Sequence, residues 1–134
     1  MNSRSFIHIA CCWLIVLPAC SSDSTPKVTI CETTVSLEDC SENQIEFSVG
    51  QQLSAHLVVN EPFATPTVVG KILRLIDTDT IPLGTRIITP RPDQQSIVQA
   101  LPFHEFGAQA EGMFLVQFVD ESNQLIAEKA FTIN

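Results

Sequence analysis

Four groups of side chains in this sequence have the residue types that acid–base or metal chemistry uses. His104 and Glu105 stand together in Phe103-His104-Glu105-Phe106. A histidine beside a carboxylate can serve as a general base, because imidazole titrates near neutrality. On an extended chain, however, neighbouring side chains point to opposite faces. No Ser or Cys nucleophile accompanies the pair in a recognisable motif, so the simpler reading is a polar loop step between two phenylalanines. His56 lies opposite the apolar positions of an alternating stretch, Leu53, Ala55 and Leu57, and reads as a surface histidine rather than a ligand. Asp77-Thr78-Asp79 opens like a calcium loop, but the further ligands, the Gly and the closing Glu are missing. A solvated hairpin turn is expected there. Glu38, Asp39 and Glu42 form an acidic cluster that suits a solvated loop or a contact with a basic partner. No phosphate loop, dinucleotide fingerprint, Gly-x-Ser-x-Gly or zinc spacing occurs. The expectation is a chain that is not an enzyme, with no catalytic residue, no metal site and no cofactor.

The start of the chain is set apart by its composition. Asn2-Ser3-Arg4-Ser5 is polar with one positive charge, and Phe6 to Leu17 is apolar except for His8. Twelve helical residues span about 18 Å, whereas a hydrocarbon core of roughly 30 Å needs about 20. The segment therefore reads as an export signal, not a membrane span. It runs into Leu17-Pro18-Ala19-Cys20, which resembles the bacterial lipobox: an apolar residue three places before a Cys, with Pro18 where a small residue is usual. The resemblance implies cleavage after Ala19 and a lipid on the sulfur of Cys20, which then anchors the chain to a membrane. Ser21 beside it, rather than Asp, implies the outer membrane, facing the periplasm. The outer face of the inner membrane or the cell surface are the alternatives. An ordinary secretory signal that leaves Cys20 free is the other reading of the same residues. Residues 20–26, rich in Ser, Thr, Asp and Pro, read as a tether from the bilayer.

Removing residues 1–19 leaves 115 of the 134 residues, and because Arg4 is the only charge lost, the formal net charge moves from −8 to −9. So acidic a chain is a poor match for nucleic acid. Cys11 and Cys12 leave with the signal, which reserves Cys31 and Cys40 for each other in an oxidising compartment. A disulfide is expected; two free thiols or a metal pair are the alternatives.

The elements that must position these groups are strands. Val28-Thr29-Ile30 reads as a strand, and Glu32 to Asn43 as a polar loop held by the two Cys. Ile45, Phe47 and Val49 alternate with polar residues as a half-buried strand. Gly50-Gln51-Gln52 turns into a strand over 53–59. Glu61 to Pro66 is a loop, since two prolines forbid a central strand. Val68 to Ile76 is rich in β-branched residues. A turn at 77–80 precedes Ile81 to Leu83, and Arg86 to Thr89 reads as a separate short strand. Pro90 to Asp93 is a rigid loop, Ser96 to Leu101 another strand, and 103–111 a bent connection or one helical turn. Gly112 to Asp120 and Leu125 to Ile133 form a hairpin around Glu121-Ser122-Asn123-Gln124.

Seven to nine short strands, each with one apolar face, point to an all-β, antiparallel two-sheet β-sandwich, with a small β-barrel as the alternative. The stretch Ala110-Glu111-Gly112-Met113-Phe114-Leu115-Val116 resembles the penultimate strand of immunoglobulin-like domains, where a Gly two residues before an aromatic opens the strand. The chain departs from that family in having no Tyr for the tyrosine corner and no distant Cys pair with a buried Trp. The domain is thus assigned to 27–134. The functional expectation is a protein-binding or scaffolding module of the envelope, with an envelope protein as partner. Phe63, Phe103, His104 and Phe106 on the loops are the candidate contacts. An inhibitor of a secreted hydrolase and an accessory lipoprotein of a secretion or pilus system are the alternatives.

Overall fold

The computed structural model describes residues 25–101 and 111–134. Residues 1–24, with Cys20, and the segment carrying Phe103, His104, Glu105 and Phe106 lie outside the described residues. Period-two alternation of apolar side chains gives each strand one face to bury, and the described chain obeys it with eight strands. In chain order they are β1 (Lys27–Glu32), β2 (Glu46–Phe47), β3 (Leu53–Val58), β4 (Val68–Ile76), β5 (Asp79–Ile88), β6 (Ser96–Ala100), β7 (Gly112–Asp120) and β8 (Leu125–Ile133), with one 3-10 turn over Leu37–Asp39. They form a three-stranded sheet, β1-β3-β6, and a five-stranded sheet, β2-β8-β7-β4-β5. The pairs are antiparallel except β2 with β8, which is parallel. The sheets stay open and pack face to face, as a β-sandwich does, and the barrel alternative is set aside.

The core lies between the sheets. Ile30, Leu53, Ala55, Leu57 and Ile97 from the smaller sheet meet Val68, Ile72, Phe114, Val116, Phe118 and Phe131 from the larger one. Phe114 stacks on Phe131 with centroids 5.7 Å apart, and Phe47 meets Phe131 edge-on at 6.0 Å. Such pairs add about 0.5–1.5 kcal/mol beyond burial. Phe47 explains how a two-residue strand holds: its ring is buried, while the Asn134 amide donates to the Phe47 carbonyl at 2.9 Å. Its sequence neighbours differ from expectation. Ile45 and Val49 are 53% and 45% exposed, so only Phe47 of that alternating set reaches the core.

Phe114 also lies beneath a charged side chain. The guanidinium of Arg74 sits 5.8 Å from its centroid and donates to the Glu111 carbonyl at 3.1 Å. A cation over a ring face is attracted by its quadrupole.

Two short strands expected at 81–83 and 86–89 are one. β5 runs through Pro82 and Gly84 with a register shift opposite Ile72 and Leu73. Pro82 has no amide hydrogen, and an edge strand that pairs on one side only can tolerate that. The shift is a bulge that leaves Leu83 directed at the core.

The disulfide is present: Cys31 and Cys40 are joined with their Cα atoms 5.8 Å apart. Closing a ten-residue loop stabilises the fold by about 2.7 kcal/mol in the chain-entropy treatment. Beyond the bridge, the Lys129 ammonium donates to the Glu42 carbonyl and ties this loop to β8. Desolvation lowers that ammonium's pKa and the nearby Glu42 carboxylate opposes the shift. Among the described residues no helix is long and apolar enough to cross a membrane.

Candidate functional site

Strand direction decides which loops share an end of the sandwich. By their registers β1 begins, β3 ends and β6 begins at one end of the smaller sheet, and β4 begins and β7 ends at one end of the larger; Pro26, Val59 and Asp120 line one cleft, so these two ends coincide. That end gathers the start of the domain, the 59–67 loop, the 89–95 loop and the 121–124 turn. Two prolines keep the first loop out of any strand, and glutamines tie it to the second. The Val59 amide donates to the Gln95 carbonyl at 2.9 Å, the Phe63 amide to the Gln94 carbonyl at 3.3 Å, and Gln95 Nε2 to the Asn60 carbonyl at 3.0 Å. Gln94 accepts from the Arg91 amide at 3.0 Å, which fixes the far side.

A cleft of about 460 Å³ opens between this loop and the β7–β8 turn. Pro26, Val59, Pro62, Phe63, Ala64 and Ile126 give it apolar walls, and Asn60, Glu61, Thr65 and Asp120 give it polar ones. Phe63 is half-buried, packed against the core yet open to the cleft. Among the described residues, two carboxylates and no Lys or Arg line it, so its field favours positive charge. One oxygen of Asp120 is already committed: Oδ1 accepts from the Ser122 and Gln124 amides, both at 2.9 Å. This turn also places Asn123 at φ 63°, a conformation that Asn tolerates well. Such a cleft suits a small apolar group bearing a cation, for instance a Lys- or Arg-containing peptide segment.

A second hollow of about 380 Å³ lies beside β1, lined in part by Lys27, Leu37, Glu38, Cys40 and Glu42. The acidic cluster expected on the disulfide loop is therefore split. Glu38 and Glu42 face this hollow, while the Asp39 carboxylate accepts from the Ser36 hydroxyl at 2.9 Å.

The structure relocates two of the histidine and phenylalanine expectations. His56 does face away from the core partner Leu57, but it is only 9% exposed, which corrects the surface reading. It occupies the middle of a central strand, flanked by Thr29 on β1 and Val98 on β6. Neighbours on both sides cover it, and burial lowers its pKa below the ordinary imidazole range. Phe63 is in the cleft. Leu101 and Glu111, which flank the segment holding Phe103, His104 and Phe106, lie at the opposite end of the sandwich. Asp77 and Asp79 bound a tight β4–β5 turn with Asp77 at φ 53°. Among the described residues no three His, Cys, Asp or Glu side chains converge as metal ligands would.

Pro26, Asp120 and Ile126 were not candidates in the sequence. They come from three separate elements, and only the antiparallel registers bring them to Phe63. A carboxylate at the last residue of β7, directly before a turn, was the one local sign.

No protein-family model matches the chain, and no curated protein matches it by sequence. Among solved structures, it is similar to an immunoglobulin-like protein from Pseudomonas aeruginosa. The TM-score is 0.54 at 15% sequence identity, covering 84% of this chain and 94% of the other. At that identity the likeness shows the fold: an immunoglobulin-like β-sandwich.

Proposed function

We propose that the chain is a non-catalytic binding module of the bacterial envelope, tethered by a lipid on Cys20, which takes its partner at the Phe63 cleft. The observation that carries this reading is the position of Pro26 in the wall of that cleft. If the mature chain starts at Cys20, six residues separate the lipid from the cleft. They span at most about 20 Å when extended. The cleft then sits close to the bilayer, within reach of membrane-bound partners. Its half-buried phenylalanine supplies an apolar anchor of the kind that dominates interfaces. Its two carboxylates select a cationic segment and disfavour flat contact with anionic lipid.

A photo-crosslinking residue at position 63, introduced in cells that make the full chain, tests this. The proposal expects an adduct with an envelope protein, and loss of that adduct when Glu61→Lys and Asp120→Lys reverse the charge of the cleft. Absence of any adduct at position 63, alongside adducts from position 78 at the opposite end, would overturn it.

A further inference from the structure

The outer face of the five-stranded sheet is more apolar than a solvated face requires. β7 is its middle strand, and the registers set β4 on one side of it and β8 on the other. Going along β7, one cross-strand row is Val69–Val119–Leu125, another is Leu73–Leu115–Ala130, and a third is Leu75–Met113–Thr132. Leu125 and Met113 are 54% and 51% exposed, and Ile87, which extends the first row on β5, is 72% exposed. Between these apolar rows runs a single polar one, Lys71–Gln117–Glu128.

We propose that this face is where two copies of the chain meet, related by a two-fold axis along β7. That rotation brings β4 of one copy over β8 of the other and leaves β7 over β7. Lys71 then faces Glu128 of the second copy, twice by symmetry, with Gln117 on the axis. The same operation sets Leu73 over Ala130, Leu75 over Thr132 and Val69 over Leu125, while Leu115 and Met113 meet their own copies near the axis. A chain with formal net charge −8, or −9 once the leader is removed, repels its own copy. Self-association therefore needs local opposite charges, and the one polar row holds a cation and an anion placed for exchange. Both have spare capacity. Lys71 Nζ donates to Asn123 Oδ1 at 2.7 Å and keeps two further hydrogens; Glu128 accepts from Gln117 Nε2 at 2.8 Å through one of its two oxygens.

Four strands at about 4.8 Å spacing and eight residues at about 3.3 Å make a face of roughly 19 by 26 Å. Two such faces remove on the order of 1,000 Å² from water, the lower limit for a specific interface. Stacked sheets about 10 Å apart, with strands aligned, are the ordinary way for β faces to pack. The contact closes as a symmetric dimer and leaves the Phe63 cleft open, so its success or failure is separate from the function proposed above.

Sedimentation equilibrium of the full chain in density-matched detergent tests it. The expected result is twice the chain mass at micromolar concentration. Lys71→Glu and Glu128→Lys should each weaken association by at least about tenfold, through like-charge contact. The double exchange should restore it. Both positions lie on the outer face, and circular dichroism checks that each variant keeps its strands. A monomer at all concentrations overturns the second copy as occupant and leaves another protein or a lipid surface to cover the face. A dimer indifferent to both substitutions, or one not restored by the exchange, overturns the assignment to this face.

Discussion

The packing of β6 over β4 can be tested at one pair of residues. Gln99 is 4% exposed, on the inner face of β6, and among the described residues its Oε1 has no hydrogen-bond partner. It rests against Gly70, in the middle of β4. A methyl group added there would lie 2.0 Å from Oε1, 3.0 Å from Cδ and 3.3 Å from Nε2. Gly70→Ala therefore forces the whole amide aside inside a closed interior, a form of overpacking that costs about 1–3 kcal/mol. For a domain of this size that lowers Tm by roughly 4–15 °C. In a Gln99→Ala background the obstacle is gone. There the added methyl partly fills the space, and Ala is favoured over Gly in a strand by about 0.5–1 kcal/mol. The sign of the Gly70→Ala effect should reverse, with a coupling of at least about 1 kcal/mol in the double-mutant cycle. Thermal and urea unfolding followed by far-UV circular dichroism gives the four stabilities, since the only Trp is Trp13, ahead of the β-sandwich strands, and there is no Tyr. Equal Gly70→Ala costs in both backgrounds would show that Gln99 does not occupy that space, and the facing of the two sheets would need revision.

Other outcomes follow from the same contacts. Cys40→Ser should lower stability by about 2.7 kcal/mol; intact mass after alkylation, with and without reductant, should show the Cys31 and Cys40 thiols only after reduction. His56, with its pKa lowered by burial, binds a proton more readily unfolded than folded. Its contribution is full above the unfolded value of about 6.5 and is lost as pH falls from there toward the folded value. Between pH 7.5 and 5.5 the Tm of the parent should therefore drop more than that of His56→Gln, and parallel curves would contradict the burial. Arg74→Ala should cost about 1–2 kcal/mol, from the ring contact and the bond to the Glu111 carbonyl together, while Arg74→Lys should recover only part of it. Cys20→Ser should move the protein from the membrane fraction to the soluble one; unchanged retention would remove the lipid from the account.

What could be read without coordinates was whatever short-range periodicity encodes. The terminal hairpin was legible to the residue, because Phe114, Val116 and Phe118 alternate and a polar Glu121-Ser122-Asn123-Gln124 turn follows. The Cys31–Cys40 bridge was legible once the other sulfurs were accounted for. The division at Pro82 was misread because proline signals a strand end locally, whereas an edge position with a bulge absorbs it, and edge status is decided by the rest of the sheet. His56 was misjudged for a related reason: alternation says which face a side chain takes, but not how far its neighbours cover it. Of the loop residues expected at one site, Phe63 is in a cleft while the chain on either side of Phe103 and Phe106 lies at the other end. Only the strand directions could say so. The cleft's acidic character was equally hidden, since Glu61 and Asp120 are fifty-nine positions apart in the numbering of the chain.

The cellular reading rests on the sulfur of Cys20, because the tether and the nearness of the cleft to the bilayer both follow from it. Mass spectrometry of the mature amino-terminal peptide from the membrane fraction measures this directly. The account predicts a chain that begins at Cys20 and carries a thioether-linked diacylglycerol. A mature chain with an unmodified Cys20, or one that retains residues 1–19, would contradict it.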